Sequence, residues 1–129
     1  MTENEIGVQV VDAAVRVHRE LGPGLLESVY EHALAHELSE RGLNVQKQVS
    51  IPVRYRGVEL GEGFKADLIV NGAVVLELKS VEQITAAHGK QLLTYLRMSG
   101  CRLGFLLNFA SATMKAGIKR TVNGLPEPA

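Results

Sequence analysis

At Gly42 the hydrophobic pattern of this chain changes period, and no other feature restricts the fold as much. Before it, Ile6, Val10, Ala13, Ala14, Val17 and Leu21 recur at three- and four-residue intervals, which predicts an amphipathic helix over residues 4–21. Gly22-Pro23-Gly24 ends it. A second helix is expected over Leu25–Arg41, with Tyr30, Ala33, Leu34 and Leu38 on one face and Gly42 as its C-terminal glycine. After Gly42 the pattern alternates: Leu43, Val45, Val49, Ile51, Val53 and Tyr55 sit among mostly polar neighbours, as in a long half-buried strand. Pro52 cannot donate to a ladder, so this strand belongs at a sheet edge or carries a bulge.

Arg56-Gly57 predicts a turn into a short strand, Val58–Leu60, and Gly61-Glu62-Gly63 a break after it. Phe64–Val70 and Ala73–Ser80 read as a hairpin around an Asn71-Gly72 turn signal. A third helix is expected over Thr85–Ser99, with Ile84, Leu92, Leu93 and Leu96 as its apolar side and Gly100 as its stop. A strand over Arg102–Phe109, a last short one over Gly117–Val122 and a loose tail over 124–129 complete the chain. The order predicts an α/β fold, a mixed central sheet flanked by helices, in a single domain spanning residues 1–129.

The hairpin carries the chemistry. Asp67 and Glu77-Leu78-Lys79 place two carboxylates and an ammonium on adjacent strands, the trio that magnesium-dependent phosphodiester cleavage requires. Surface carboxylates beside a solvated lysine give the same pattern, and a shared metal further requires that both carboxylates leave one face, which register decides because side chains alternate strictly along a strand. A two-residue loop pairs Val70 with Ala73 and sends the carboxylates to opposite faces. A three-residue loop pairs Val70 with Val74, sets Asp67 opposite Glu77 and Lys65 opposite Lys79, and gathers Phe64, Ala66, Leu68 and Val70 on one face with Val74, Leu76 and Leu78. The hydrophobic pattern asks for the longer loop.

Neighbouring helices offer further polar groups. His88, Gln91 and Tyr95 form one stripe of the third helix, and the amide and phenol can position a phosphate or a metal-bound water. Glu27, in the first turn of the second helix, is favoured there by the helix dipole alone, and as a third carboxylate it completes an oxygen donor set. His32 and His36 share a helix face without a zinc-protease context and read as surface residues. Gly22-Pro23-Gly24 lacks the lysine and hydroxyl of a phosphate loop.

Composition excludes several classes. With 46% hydrophobic residues the chain is not disordered, and its apolar stretches are too short and interrupted for a bilayer-spanning helix. The acidic Met1–Glu5 start is unlike a signal peptide, so the expectation is a soluble cytoplasmic protein with no membrane partner. Cys101 is the only cysteine, which leaves oxygen or histidine as metal ligands. Formal net charge is zero, yet residues 1–42 hold eight acids against three bases and residues 43–129 eleven bases against six acids. The halves are therefore −5 and +5, a distribution that suits either a locally positive face for phosphate or pairing between the halves.

Taken in order, Gly24-x-x-Glu27-x-x-Tyr30, Asp67, Glu77-x-Lys79, Gln91-x-x-x-Tyr95 and Gly117-Ile118-Lys119-Arg120 resemble the GxxExxY protein family of the PD-(D/E)xK nuclease superfamily. The resemblance runs from Ile6 to Asn123, with Ala66 where the superfamily label has proline. It implies a restriction-endonuclease-like core and a Mg²⁺ or Mn²⁺ site formed by Glu27, Asp67, Glu77 and the Leu78 carbonyl. It also implies Lys79 as the catalytic lysine, with Gln91 and Tyr95 as the helix motif of RecB-like exonucleases. Nucleic acid, in particular DNA, is the implied partner. Small dimeric resolvases of the same superfamily make a homodimer an expected assembly. The expected function is divalent-metal-dependent hydrolysis of DNA phosphodiester bonds; the alternative is a non-catalytic nucleic-acid-binding or assembly module that retains the fold.

Overall fold

The computed structural model describes residues 1–127; Pro128 and Ala129 of the expected tail lie outside the described residues. Helix α1 spans Glu3–Leu21 and starts from a capping box, in which Thr2 Oγ1 accepts from Glu5 N–H at 3.2 Å and Thr2 N–H donates to Glu5 Oε1 at 2.9 Å. Helix α2 (Glu27–Glu40) follows the Gly22–Leu26 loop. Strands β1 (Val45–Tyr55), β2 (Val58–Val70) and β3 (Val74–Lys79) precede α3 (Ala86–Ser99), and β4 (Leu103–Asn108), α4 (Met114–Gly117) and β5 (Ile118–Val122) close the chain. The short helix α4 has no apolar period for the sequence to display.

The strands lie in sequence order, β1-β2-β3-β4-β5. Every pair is antiparallel except β3 and β4, which run parallel and are joined by α3 as a crossover. Alternation divides the sheet between two layers. Val74, Leu76, Leu78, Leu103, Phe105 and Leu107 pack with α1 and α2, while Ile69, Val75 and Leu106 pack with Leu92 and Leu96 of α3. Both faces are covered, which is why β4 is buried at every position. The expected α/β architecture, a mixed central sheet flanked by helices, is the observed one.

Two departures concern the β1–β2 ribbon. The break expected at Gly61-Glu62-Gly63 is absent, and β2 runs unbroken through it. Gly61, at φ +93, accommodates an irregularity in the ladder, and a Cβ on Gly63 would overlap the Val53 side chain, so these glycines serve a distorted strand. The register shifts on both sides of Pro52, on what is also an edge strand. Secondly, Phe64 and Ala66 do not share a layer with Leu68 and Val70. Val45, Leu68 and Val70 pack on the α1–α2 side, whereas Val49, Ile51, Phe64 and Ala66 pack on the α3 side. Both strands thus change layers together at Gln48 and Asp67, and Gln48 has φ +49. Two-stranded ribbons twist strongly, and a left-handed residue inside one sharpens the twist.

Candidate functional site

The site begins where β2 and β3 part. Asn71, Gly72 and Ala73 form a three-residue loop, closed by Ala73 N–H donating to Val70 O at 3.0 Å, and Val70 pairs with Val74 as the hydrophobic pattern required. The ladder ends at Leu68↔Leu76. Beyond that point the carboxylates stand in for its missing rungs: Leu78 N–H donates to Asp67 Oδ2 at 2.8 Å, and Asp67 N–H donates to Glu77 Oε1 at 3.3 Å. Asp67 and Glu77 are thereby brought together. Lys65 does not meet Lys79; it lies opposite Ser50 of β1, because the β2–β3 pairing has already stopped.

Glu77 is only 6% exposed. Burial, and then the Asp67 charge, push its carboxyl up to about 8, with Lys79 opposing. Among the described residues neither Asp67 nor Glu77 forms an ion pair. Two carboxyl groups in contact, one buried and neither held in an ion pair, form a donor set that fits a divalent cation once Glu77 gives up its proton, since Mg²⁺ takes one or two carboxylates and fills its other positions with water and phosphate.

Glu27 reaches this place through a braced loop. Gly24 takes φ +103, and the wholly buried Tyr30 stacks on Phe109 with centroids 4.5 Å apart. The Tyr30 hydroxyl donates to Gly22 O at 2.5 Å and accepts from Leu25 N–H at 3.0 Å, which sets where α2 starts. The glycine and tyrosine of Gly24-x-x-Glu27-x-x-Tyr30 therefore shape the loop, and the glutamate faces a cleft of about 210 Å³ lined by Glu27, Ser28, Glu31, Gln48, Asp67 and Leu78. Partial burial, then the Asp67 charge, raise the Glu27 carboxyl above its ordinary range, against the pull of Lys79.

From the opposite layer, Tyr95 lies flat on Phe64, with centroids 3.7 Å apart and planes 3° from parallel. Its phenol is shifted up by burial and then by the charges of Glu77 and Asp67, with Gln91 opposing. Tyr95 thus borders the carboxylates, with Gln91 one turn before it on the same stripe of α3. His88, on the same stripe, is a cap: its Nδ1 accepts from Thr85 N–H at 3.1 Å while its own N–H donates to Thr85 Oγ1 at 3.4 Å. His32 and His36 are exposed on α2.

Lys79 is the last residue of β3, and the chain beyond it is fixed by a buried amide. Asn108 Nδ2 donates to Val81 O at 2.8 Å, Asn108 Oδ1 accepts from Val81 N–H at 3.1 Å and Ala110 N–H at 3.2 Å, and Phe109 N–H donates to Lys79 O at 2.9 Å. Asn108, Glu31 and Gln48 escape sequence reasoning. Glu31 carried a faint signal, one turn after Glu27 on the same helix face. Gln48 looks like any polar residue of an alternating strand, and Asn108 sits at the end of an apolar run.

Among the described residues no group of three or more His, Cys, Asp or Glu side chains is gathered closely enough to enclose a metal by itself. No described helix is long and apolar enough to cross a membrane. A mixed five-stranded sheet between helices, with an acid pair at the parting of two strands and a lysine two residues on, defines a restriction-endonuclease-like core. The chain belongs to the PD-(D/E)XK nuclease superfamily, whose family model matches residues 4–121. No curated protein and no solved structure matches it.

Proposed function

We propose that the chain is a Mg²⁺- or Mn²⁺-dependent nuclease hydrolysing phosphodiester bonds of DNA, of the GxxExxY kind within its superfamily. The observation that carries this reading is the Asp67–Glu77 contact at the end of the β2–β3 ladder, with Glu77 buried and, among the described residues, neither group in an ion pair. Asp67, Glu77 and the Leu78 carbonyl are the assigned ligands, with Glu27 on the rim of the cleft. When bound there, the cation supplies Lewis-acid polarisation of a phosphoryl oxygen and makes a water easier to deprotonate. Lys79 offers its ammonium to the charge that builds on the phosphate oxygens, and its proton to the departing oxygen. Gln91 and Tyr95 present an amide and a hydroxyl from the opposite wall, able to orient a phosphate. Support for the GxxExxY assignment comes from the division of labour in that motif, with Gly24 and Tyr30 shaping the loop that presents Glu27.

The test is a panel of labelled linear, nicked and branched DNAs and RNAs incubated with Mn²⁺, beside the Lys79→Ala protein. Cleavage by the parent and its loss in the variant, with the melting temperature retained, is the expected result. A parent that cuts nothing, or a variant that cuts equally well, refutes the reading. Exposed bases at the ribbon tip and on β5 favour one second reading, a nucleic-acid-binding or assembly module that keeps the fold. It calls for salt-dependent binding without turnover, tracking Arg54 and Arg56 at the ribbon tip and Lys119 and Arg120 on β5.

A further inference from the structure

Among the described residues three non-glycines have positive φ: Gln48 at +49, Arg56 at +50 and Asn71 at +52. Arg56 and Asn71 open hairpin turns, each followed by a glycine, where the left-handed conformation is what the turn requires. Gln48 lies inside β1, where no turn explains it. The left-handed region disfavours any side chain there, and glycine would enter it without penalty. A glutamine held in that conformation points to a task for its side chain.

The side chain is engaged at the site. Its Nε2 donates to Glu31 Oε1 at 2.6 Å and to Asp67 Oδ1 at 3.3 Å. The other Asp67 oxygen accepts Leu78 N–H at 2.8 Å. Asp67 is thus fixed at both ends, by the backbone of β3 on one side and by this amide on the other. In the register set by Lys47↔Leu68 and Val49↔Ala66, Gln48 stands opposite Asp67, at the point where the ribbon changes layers.

We propose that Gln48 is a positioning residue that orients Asp67 for the divalent cation, an inference that rests on the reading given under Proposed function. The amide suits the task because it is neutral. Lysine at this place would orient Asp67 but cancel the charge a cation needs, and glutamate would repel both Glu31 and Asp67. An amide hydrogen-bonds two carboxylates and leaves their negative charge available.

Gln48→Gly separates this role from a structural one, because it removes the amide and relieves the backbone together. Three quantities are measured on the whole chain: the melting temperature without metal, Mn²⁺ affinity from the paramagnetic resonance of free Mn²⁺, and cleavage kinetics. The expected result is a melting temperature equal to or above the parent's, with Mn²⁺ affinity reduced about 10- to 100-fold and kcat reduced while KM for nucleic acid holds. Gln48→Glu, the same shape without the donor, fails to restore affinity. If Gln48→Gly binds Mn²⁺ and cleaves as the parent does, the positioning role is wrong and the nuclease reading stands. If melting temperature and affinity fall together, the amide is a structural brace only. A parent that neither binds Mn²⁺ nor cleaves overturns the nuclease reading and the positioning role with it.

Discussion

Replacing Glu77 by glutamine should remove most of the pH dependence that the acid pair imposes on folding. The Glu77 carboxyl titrates near 4.5 when free and is raised to about 8 in the fold by burial and the Asp67 charge. A raised carboxyl favours the folded state while it keeps its proton. Its contribution is fully present below pH 4.5, declines as pH rises between the two values, and is lost above about 8. A gap of about 3.5 units at roughly 1.4 kcal/mol per unit makes the full swing roughly 5 kcal/mol, a large share of the stability of a domain this size. Urea denaturation of parent and Glu77→Gln at intervals across that window, with chelator present, isolates the acid pair and its coupled neighbours, because groups away from Glu77 cancel in the difference. The parent should lose stability relative to the variant as pH rises, and saturating Mn²⁺ should restore the parent alone at the alkaline end. Parallel curves would show that Glu77 titrates normally in the fold and that the acid pair is not strained against itself.

Two further substitutions probe the supports of the site. Tyr30→Phe deletes the hydroxyl that joins Gly22 O to Leu25 N–H, and should lower stability by about 1–3 kcal/mol in chemical denaturation while moving Glu27 enough to weaken Mn²⁺ binding. An unchanged unfolding midpoint would mean that water replaces the hydroxyl at no cost. Asn108→Ala strips two bonds from the segment after Lys79 and one from Ala110 N–H, and leaves Val81 N–H and O without that partner; a loss of about 2–3 kcal/mol and faster hydrogen exchange at Val81 are expected, and full retention of exchange protection would refute it.

Much of this fold was legible because two periods alternate cleanly along the chain. The helical spacing of Ile6 to Leu21 located α1. The rule that hydrophobic residues share a face chose the three-residue loop before any coordinate did, and with it the meeting of Asp67 and Glu77. The same rule failed two residues away. It assumes a regular strand, and at Gln48 the backbone leaves the β region, so Phe64 and Ala66 pass to the other layer. No side-chain pattern announces a left-handed glutamine. Gly61 and Gly63 were misleading for a related reason: glycine marks a bulge and a close approach as readily as a break. Asn108 and Gln48 act through bonds to chain segments 27 and 19 residues distant, and pairings of that range leave no local trace.

The placement of α1 has a consequence for how the molecule comes into being. Adjacent strands are consecutive in sequence, so each can pair with its predecessor soon after synthesis. α1 is different. Gly7 sits against Leu103 and Phe105, Glu3 meets Arg102 at 3.0 Å, and His18 Nε2 lies 2.9 Å from Ser111 O. These partners reach the ribosome exit roughly 90 to 100 residues after α1 does, and synthesis at about 5–20 residues per second makes that an interval of several seconds. During it the apolar stripe of α1 has α2 and, once β3 is made, Val74, Leu76 and Leu78 to pack against, while the β4 side stays open. Helix α1 precedes all the strands it packs on and is fully covered only when β4 arrives, which makes the nascent helical pair, rather than the finished fold, the form most exposed to aggregation.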